Sequence, residues 1–266
     1  MPVFYWPQPL SDLFMIETPR NKTMPHPVTA LILGSGPDAQ FAAELPLHKF
    51  DYVIVINNAW RATPHWTHLV YPYDFPADRM PAKIGKTQQL IDERAFVPAQ
   101  NRFGGFVYAG GTMAYTAAYW CLDALRPQHI AHLGCDMHYP KNQATHFYGT
   151  GAPDPLRDDI SLTSLEASSA RFYALAYQQG TQIWNFSNGL SRLLYPRITP
   201  EAFFEFDRPQ PEPDISAIAE GLQREAELGY FVEDGRYWHH ADKFDKQKLI
   251  ELDHIWLKAA GLAQTN

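Results

Sequence analysis

The chain alternates short apolar runs with turn residues, and that punctuation is the clearest signal in it. Val28 to Leu33 is apolar and stops at Gly34, as a strand buried on both faces would. Pro37 to Glu44 follows as a helical stretch with proline at its first position. Asp51 to Ile56 reads as a second buried strand and Thr67 to Tyr71 as a third. A polar, proline-containing stretch leads to a helix near Lys86 to Arg94. Phe106 to Ala109 reads as another strand, and residues 112–125 as a helix with apolar residues nearly all round, hence buried. His129 to Leu133 is the next strand and ends at Gly134. After a long loop, Ser164 to Gln179 is a helix closed by Gly180, and Thr181 to Phe186 is a last strand.

Strands that alternate with helices and are themselves continuous apolar runs imply an α/β fold. Its sheet is mostly parallel with helices on both faces, a Rossmann-like arrangement. The reading divides the chain into a proline-rich arm over 1–27, an α/β domain over 28–200, and a small helical appendage or lid over 201–266. The last begins with a proline-rich acidic stretch at 207–214 and carries helices at 215–228 and 245–260.

Composition narrows the function classes. Hydrophobic residues make up 45% of the 266 residues and charged residues 19%, which suits a globular core rather than disorder. A net charge of -7 without a basic cluster speaks against a nucleic-acid surface. An anionic ligand must therefore be met by local donors. Cys121 and Cys135 match no zinc or redox spacing and read as buried thiols. No basic and apolar leader opens the chain and no apolar run is long enough to span a bilayer, so a cytoplasmic protein is expected. Homo-oligomerisation stays open.

In a parallel sheet, ligands bind beyond the carboxyl ends of the strands, and the chemistry-bearing residues of this chain follow strands. Gly34, Gly36 and Ala39 satisfy G-x-G-x-x-A at a strand-to-helix turn, the setting in which backbone N–H groups meet a phosphate. Ser35 sits inside that turn. The second strand ends in Asn57-Asn58 rather than in the acid of a nicotinamide enzyme. Asparagine both donates and accepts, so it can meet a ribose or a base. A second glycine turn, Gly110-Gly111, leads to Thr112, which either caps the following helix or meets a ligand oxygen. The long loop holds Asp136, His138, Tyr139, His146, Tyr148, Asp154, Arg157, Asp158 and Asp159. Histidine serves as a base near neutral pH, and tyrosine hydroxyls donate to a departing phosphate.

In their order, these pieces resemble the bacterial sialyltransferases of the Campylobacter lipooligosaccharide type. The shared pieces are the Gly34-Ser35-Gly36-Pro37 turn, Asn57, the small-residue turn Gly110 to Thr112, Gly134-Cys135-Asp136 with Tyr139, the loop with His146 and Tyr148, and the stretch Ser164 to Phe172. The resemblance covers about residues 28–195. It implies a metal-independent, inverting glycosyltransferase using a nucleotide-sugar donor, a CMP-sugar above all, with no cofactor. Gly34, Ser35 and Gly36 would meet the phosphate or ribose, Asn57 and Thr112 the nucleotide or sugar, and Asp136 would support the pocket. Asn58, Gly111, Tyr139 and, from a segment without a family equivalent, Arg157 complete the candidate binding set. Tyr148 would donate to the phosphate and His146 would take the acceptor's proton. The same opening is similar to the archaeal pterin pyrophosphokinase-like superfamily, which implies an ATP-dependent enzyme with Mg²⁺ held by loop aspartates. In the sialyltransferases the catalytic histidine follows its tyrosine, whereas His146 precedes Tyr148. A non-catalytic nucleotide-binding protein of the same fold is therefore a third reading.

Overall fold

The computed structural model describes residues 26–139, 144–149 and 157–261. The proposed arm over 1–27 lies almost wholly outside the described residues. The core is a six-stranded, all-parallel sheet: β1 (Thr29–Leu33), β2 (Tyr52–Ile56), β3 (His68–Val70), β4 (Gln89–Ile91), β5 (His129–Leu133) and β6 (Gln182–Asn185). Its order is β4-β3-β2-β1-β5-β6. The chain leaves β1 toward one edge, then crosses over to β5 on the other side of β1. That reversal between β1 and β5 opens a crevice at the strands' carboxyl ends. Leu33 is level with Val55 on one side and Leu133 on the other, so these strands end together.

Alternation along the strands sorts the core into two layers. Ala30, Ile32, Ile54, Ile56 and Ile130 face one set of helices. These are α1 (Glu93–Asn101), α2 (Phe106–Ala109), α3 (Met113–Ala124) and α4 (Leu165–Gln178). Leu31, Leu33, Val53, Val55 and Leu133 face the other way, against Phe50, Phe186 and Phe203. That second face is covered by 3-10 segments, Pro37–Glu44 and Leu47–Lys49, and by the short α5 (Pro200–Phe203). The C-terminal helices α6 (Ile215–Leu228) and α7 (Lys246–Ala259) bring Ala217, Ile218, Leu249, Leu252 and Trp256 into the same core layer as α4.

Two elements differ from the pattern-based reading. Phe106 to Ala109 is one helical turn, not a strand. It is held by Ala109 N–H donating to Gly105 O and Gly110 N–H to Phe106 O, both at 3.0 Å. Four apolar residues carry no usable periodicity, and the flanking glycines, at φ +84° and +88°, turn the chain abruptly at each end. The stretch near Lys86 to Arg94 is not one helix. It contains the edge strand β4, then the start of α1 behind the cap Asp92. Gln89 and Leu90 are exposed on that edge, so apolar content does not mark the strand. The helix expected over 37–44 is present in 3-10 form. Among the described residues, no helix is long and apolar enough to cross a membrane.

Candidate functional site

The turn after β1 and the turn after β5 lie directly on each other. Gly34 N–H donates to Leu133 O at 2.9 Å and Gly36 N–H to Gly134 O at 2.8 Å. A Cβ on Gly34 would stand 2.3 Å from Gly134 O, and one on Gly36 2.8 Å from the same atom. The glycines are thus required for the close approach of two turns. Both of their amides, which the turn motif assigns to a phosphate, are spent on carbonyls. Asp38 adds a carboxylate to the first turn of the following 3-10 segment. Anion binding at this helix start is correspondingly weakened.

Ser35 ties in the loop. Its carbonyl accepts from Phe147 N–H at 3.0 Å. Residues His146 to Gly149 form a tight turn closed by two reciprocal bonds, His146 N–H to Gly149 O at 2.9 Å and Gly149 N–H to His146 O at 3.0 Å. That turn presents His146 and Tyr148 side by side, with ring centroids 5.0 Å apart and planes within 21°. Tyr139 stands 6.4 Å from His146.

Each ring has a polar partner. Thr145 Oγ1 lies 2.8 Å from His146 Nδ1. With Nδ1–H donating to that hydroxyl, Nε2 keeps its lone pair. Partial burial holds the His146 pKa below the ordinary 6.5, so the ring is neutral at neutral pH. The Asn58 side-chain amide donates to the Tyr148 hydroxyl at 3.4 Å. The phenolic oxygen thereby acts as acceptor, and its own O–H is directed elsewhere. Tyr148 is 44% exposed.

Asn57 begins a 3-10 turn with φ at +51°, a left-handed conformation that asparagine tolerates better than most residues. The side-chain oxygens of Asn57 and Asn58 are buried without a hydrogen-bond partner. On the β5 side, Asp136 Oδ2 accepts from Ser187 Oγ at 2.7 Å, and Asp136 Oδ1 is buried without a partner. Asn185 and Ser191 flank the carboxylate but bond to each other at 3.2 Å. Burial raises the Asp136 pKa, and Asp38 adds repulsion. The neighbouring Ser191, Ser187 and Asn185 pull it back down.

Gly111 and Arg157 belong to a different cluster. Arg157 Nη2 donates to Gly111 O at 3.0 Å and to the Tyr237 hydroxyl at 3.1 Å, while Nε donates to Asp159 Oδ2 at 2.9 Å. Gly111 N–H donates to Ser161 Oγ at 3.1 Å, and a Cβ there would stand 2.5 Å from that oxygen. This network fastens the 157–162 segment and the Tyr237 segment onto the second glycine turn. Thr112 is buried and caps α3, accepting from Tyr115 N–H at 3.3 Å. Its hydroxyl also lies 3.8 Å from the Sδ of Met137, the residue after Asp136 in the chain.

The structure therefore gathers Ser35, Asn57, Asn58, Asp136, Tyr139, His146 and Tyr148 around the switch point and places Gly111 and Arg157 in a fastening role. Of the loop aspartates, Asp154 lies outside the described residues. Asp159 is engaged by Ser161, Arg157 and Tyr237, and Asp158 is exposed. Among the described residues, no three His, Cys, Asp or Glu side chains gather as a metal-holding group. The reading of the sequence missed Thr145, Asn185, Ser187 and Ser191. Asn185 ends β6, and Ser187 and Ser191 follow it, so the rule that informative residues lie at strand ends would have found them. Compared with known protein families, curated proteins and solved structures, the chain matches none.

Proposed function

We propose that this protein is a sialyltransferase-like glycosyltransferase that binds a nucleotide-sugar in the crevice between β1 and β5 and transfers the sugar with inversion. The observation that carries this reading is the His146–Tyr148 pair, ordered by Thr145 and Asn58. One ring offers a lone pair and its neighbour offers an O–H.

Those are the two groups that glycosyl transfer from a nucleotide-sugar asks of a protein. His146 Nε2 takes the proton of the acceptor hydroxyl as that oxygen attacks the anomeric carbon. The bond from that carbon to the phosphate oxygen breaks, and its electron pair leaves with the nucleotide. The Tyr148 O–H donates to the departing phosphate as its charge grows. Both groups act as protein side chains, and the donor is most simply a CMP-sugar, as the resemblance implies.

The test is a thermal-shift panel of CMP, CDP, UMP, UDP, GDP and ATP, each with Mg²⁺ and with EDTA. A ligand at ~100 times its dissociation constant raises stability by roughly 2.7 kcal/mol. A response to CMP or CDP that EDTA leaves intact supports the proposal, and CMP-sialic acid turnover is then measured directly. A response to ATP that needs Mg²⁺ moves the reading to a pyrophosphokinase-like enzyme. Silence across the panel leaves a protein without nucleotide chemistry.

A further inference from the structure

We infer that Asp136 is the hydroxyl-binding end of the crevice. It takes a ribose hydroxyl of a nucleotide whose phosphate lies at the Tyr148 end. The inference rests on the nucleotide reading above and adds the direction in which the ligand lies and the feature that it must carry.

Three buried oxygens here lack a donor: Asn57 Oδ1, Asn58 Oδ1 and Asp136 Oδ1. Asn58 is 5% exposed, so bulk water does not serve it. All three oxygens are acceptors and all stand past strand ends, the asparagines after β2 and the aspartate after β5. Between them runs the Gly34 to Gly36 turn of β1, whose two glycine amides are already bonded. Buried polar atoms are normally paired, so a set of orphan acceptors calls for a ligand that brings O–H or N–H groups.

Charge orients that ligand. Asp38 is close enough to repel charge on Asp136, so the β5 side carries two carboxylates, which a phosphate avoids. The Tyr148 hydroxyl, with Asn58 behind it, offers a donor at the β2 side. The two sides are separated by two strand spacings, about 10 Å. A ribose 5′-phosphate bridges such a span with its sugar hydroxyls at one end and its phosphate at the other. A base amino group lies a further ring away. Asp136 itself is fixed for this role: Ser187 holds Oδ2 at 2.7 Å, and Arg192 N–H holds its backbone carbonyl at 2.9 Å. Oδ1 is the oxygen left without a donor.

The experiment titrates the full chain with CMP, UMP, AMP and GMP, and with the 2′,3′-dideoxy form of each. The expected result is that the best ribonucleotide binds at least tenfold more tightly than its dideoxy form, and that Asp136→Ala removes most of that difference. Equal affinity for the two forms in the unmodified protein overturns the inference while leaving nucleotide binding intact. Failure of all four ribonucleotides to bind at millimolar concentration overturns the nucleotide reading and this inference with it. The unmodified protein alone decides the matter if Asp136→Ala does not fold.

Discussion

Arg171 on α4 and Glu225 on α6 are joined by two hydrogen bonds, Nε to Oε1 and Nη2 to Oε2, each 2.7 Å long. Both side chains are buried. Further hydrogen bonds surround the pair. Nη1 donates to the Tyr119 hydroxyl at 2.7 Å, Nη2 also to Phe103 O at 2.6 Å, and Trp256 Nε1–H donates to Glu225 Oε1 at 2.9 Å. The pair thus couples α4, at the centre of the fold, to both C-terminal helices. Removing one partner leaves an uncompensated buried charge, which costs about 3–5 kcal/mol. Glu225→Ala is expected to lose that much in urea unfolding. The double variant Arg171→Met with Glu225→Leu is expected to lose less than the sum of the single changes, because no lone charge remains. Additive losses would show that the charges are not coupled.

The contact between Gly34 and Gly134 gives a second expectation. Gly34→Ala sets a methyl group against a backbone carbonyl at 2.3 Å, where neither side can move without disturbing β1 or β5. Overpacking of this kind costs about 1–3 kcal/mol, and a backbone clash belongs at the upper end or beyond. Gly189→Ala is the control, since nothing lies within 4 Å of its added Cβ. It is expected to stay within about 0.5 kcal/mol of the parent. Thermal melts of the two variants side by side measure the difference, and equal melts would remove the structural account of Gly34.

These glycines show what was legible in the sequence and what was not. The strand-to-turn position of Gly34 and Gly36 follows from an apolar run that ends abruptly, and the parallel pairing of the five strands that the pattern marks follows from their alternation with helices. What the turn does was hidden. A glycine that lets a phosphate approach and a glycine that lets another chain segment approach look the same in one dimension. The partner, Gly134, lies a hundred residues along the chain. Arg157 was read as a ligand residue, and its partners Gly111 O and Tyr237, which hold it in place, come from distant segments. Edge strand β4 was missed because it is three residues long and two of them, Gln89 and Leu90, are exposed, which leaves no continuous buried apolar run to mark it. By contrast, the nearness of His146 to Tyr148 is local, although it was the resemblance to the sialyltransferases that singled the two out among the polar residues of the loop.

Asp253 on α7 predicts a pH dependence. Burial raises its pKa from 3.8 to about 7, while Thr163, whose hydroxyl donates to Oδ2 at 2.8 Å, pulls it back and Glu166 adds repulsion. The native carboxyl therefore holds its proton where the unfolded one has lost it. The native state binds more protons between pH ~4 and ~7, so this group's contribution to stability falls as pH rises through that window, by at most about 1.4 kcal/mol per pH unit. Above pH 7 the loss is complete, and below pH 4 it is absent. Asp253→Asn removes the titration. The difference in unfolding free energy between parent and variant is expected to change across pH 4–7 and to be flat beyond. A difference that stays constant over the whole range would place the Asp253 pKa at its ordinary value.

The last prediction separates binding from chemistry at the loop. Tyr148 is 44% exposed, and Asn58 Nδ2 meets its oxygen at the long distance of 3.4 Å, so Tyr148→Phe takes little from the fold. If its O–H stabilises the departing phosphate, kcat with a CMP-sugar donor falls by about 10²–10³ while KM changes little, because the bond strengthens only as charge develops. His146→Ala is expected to lower kcat by about 10²–10⁴ and to flatten the acid limb of the pH profile. In the parent that limb lies below pH 6.5, since burial depresses the imidazole pKa from that value. A Tyr148→Phe variant that raised KM and left kcat untouched would make the tyrosine a binding group. The departing phosphate would then need another donor, and the His146–Tyr148 pair would no longer carry the transfer reading.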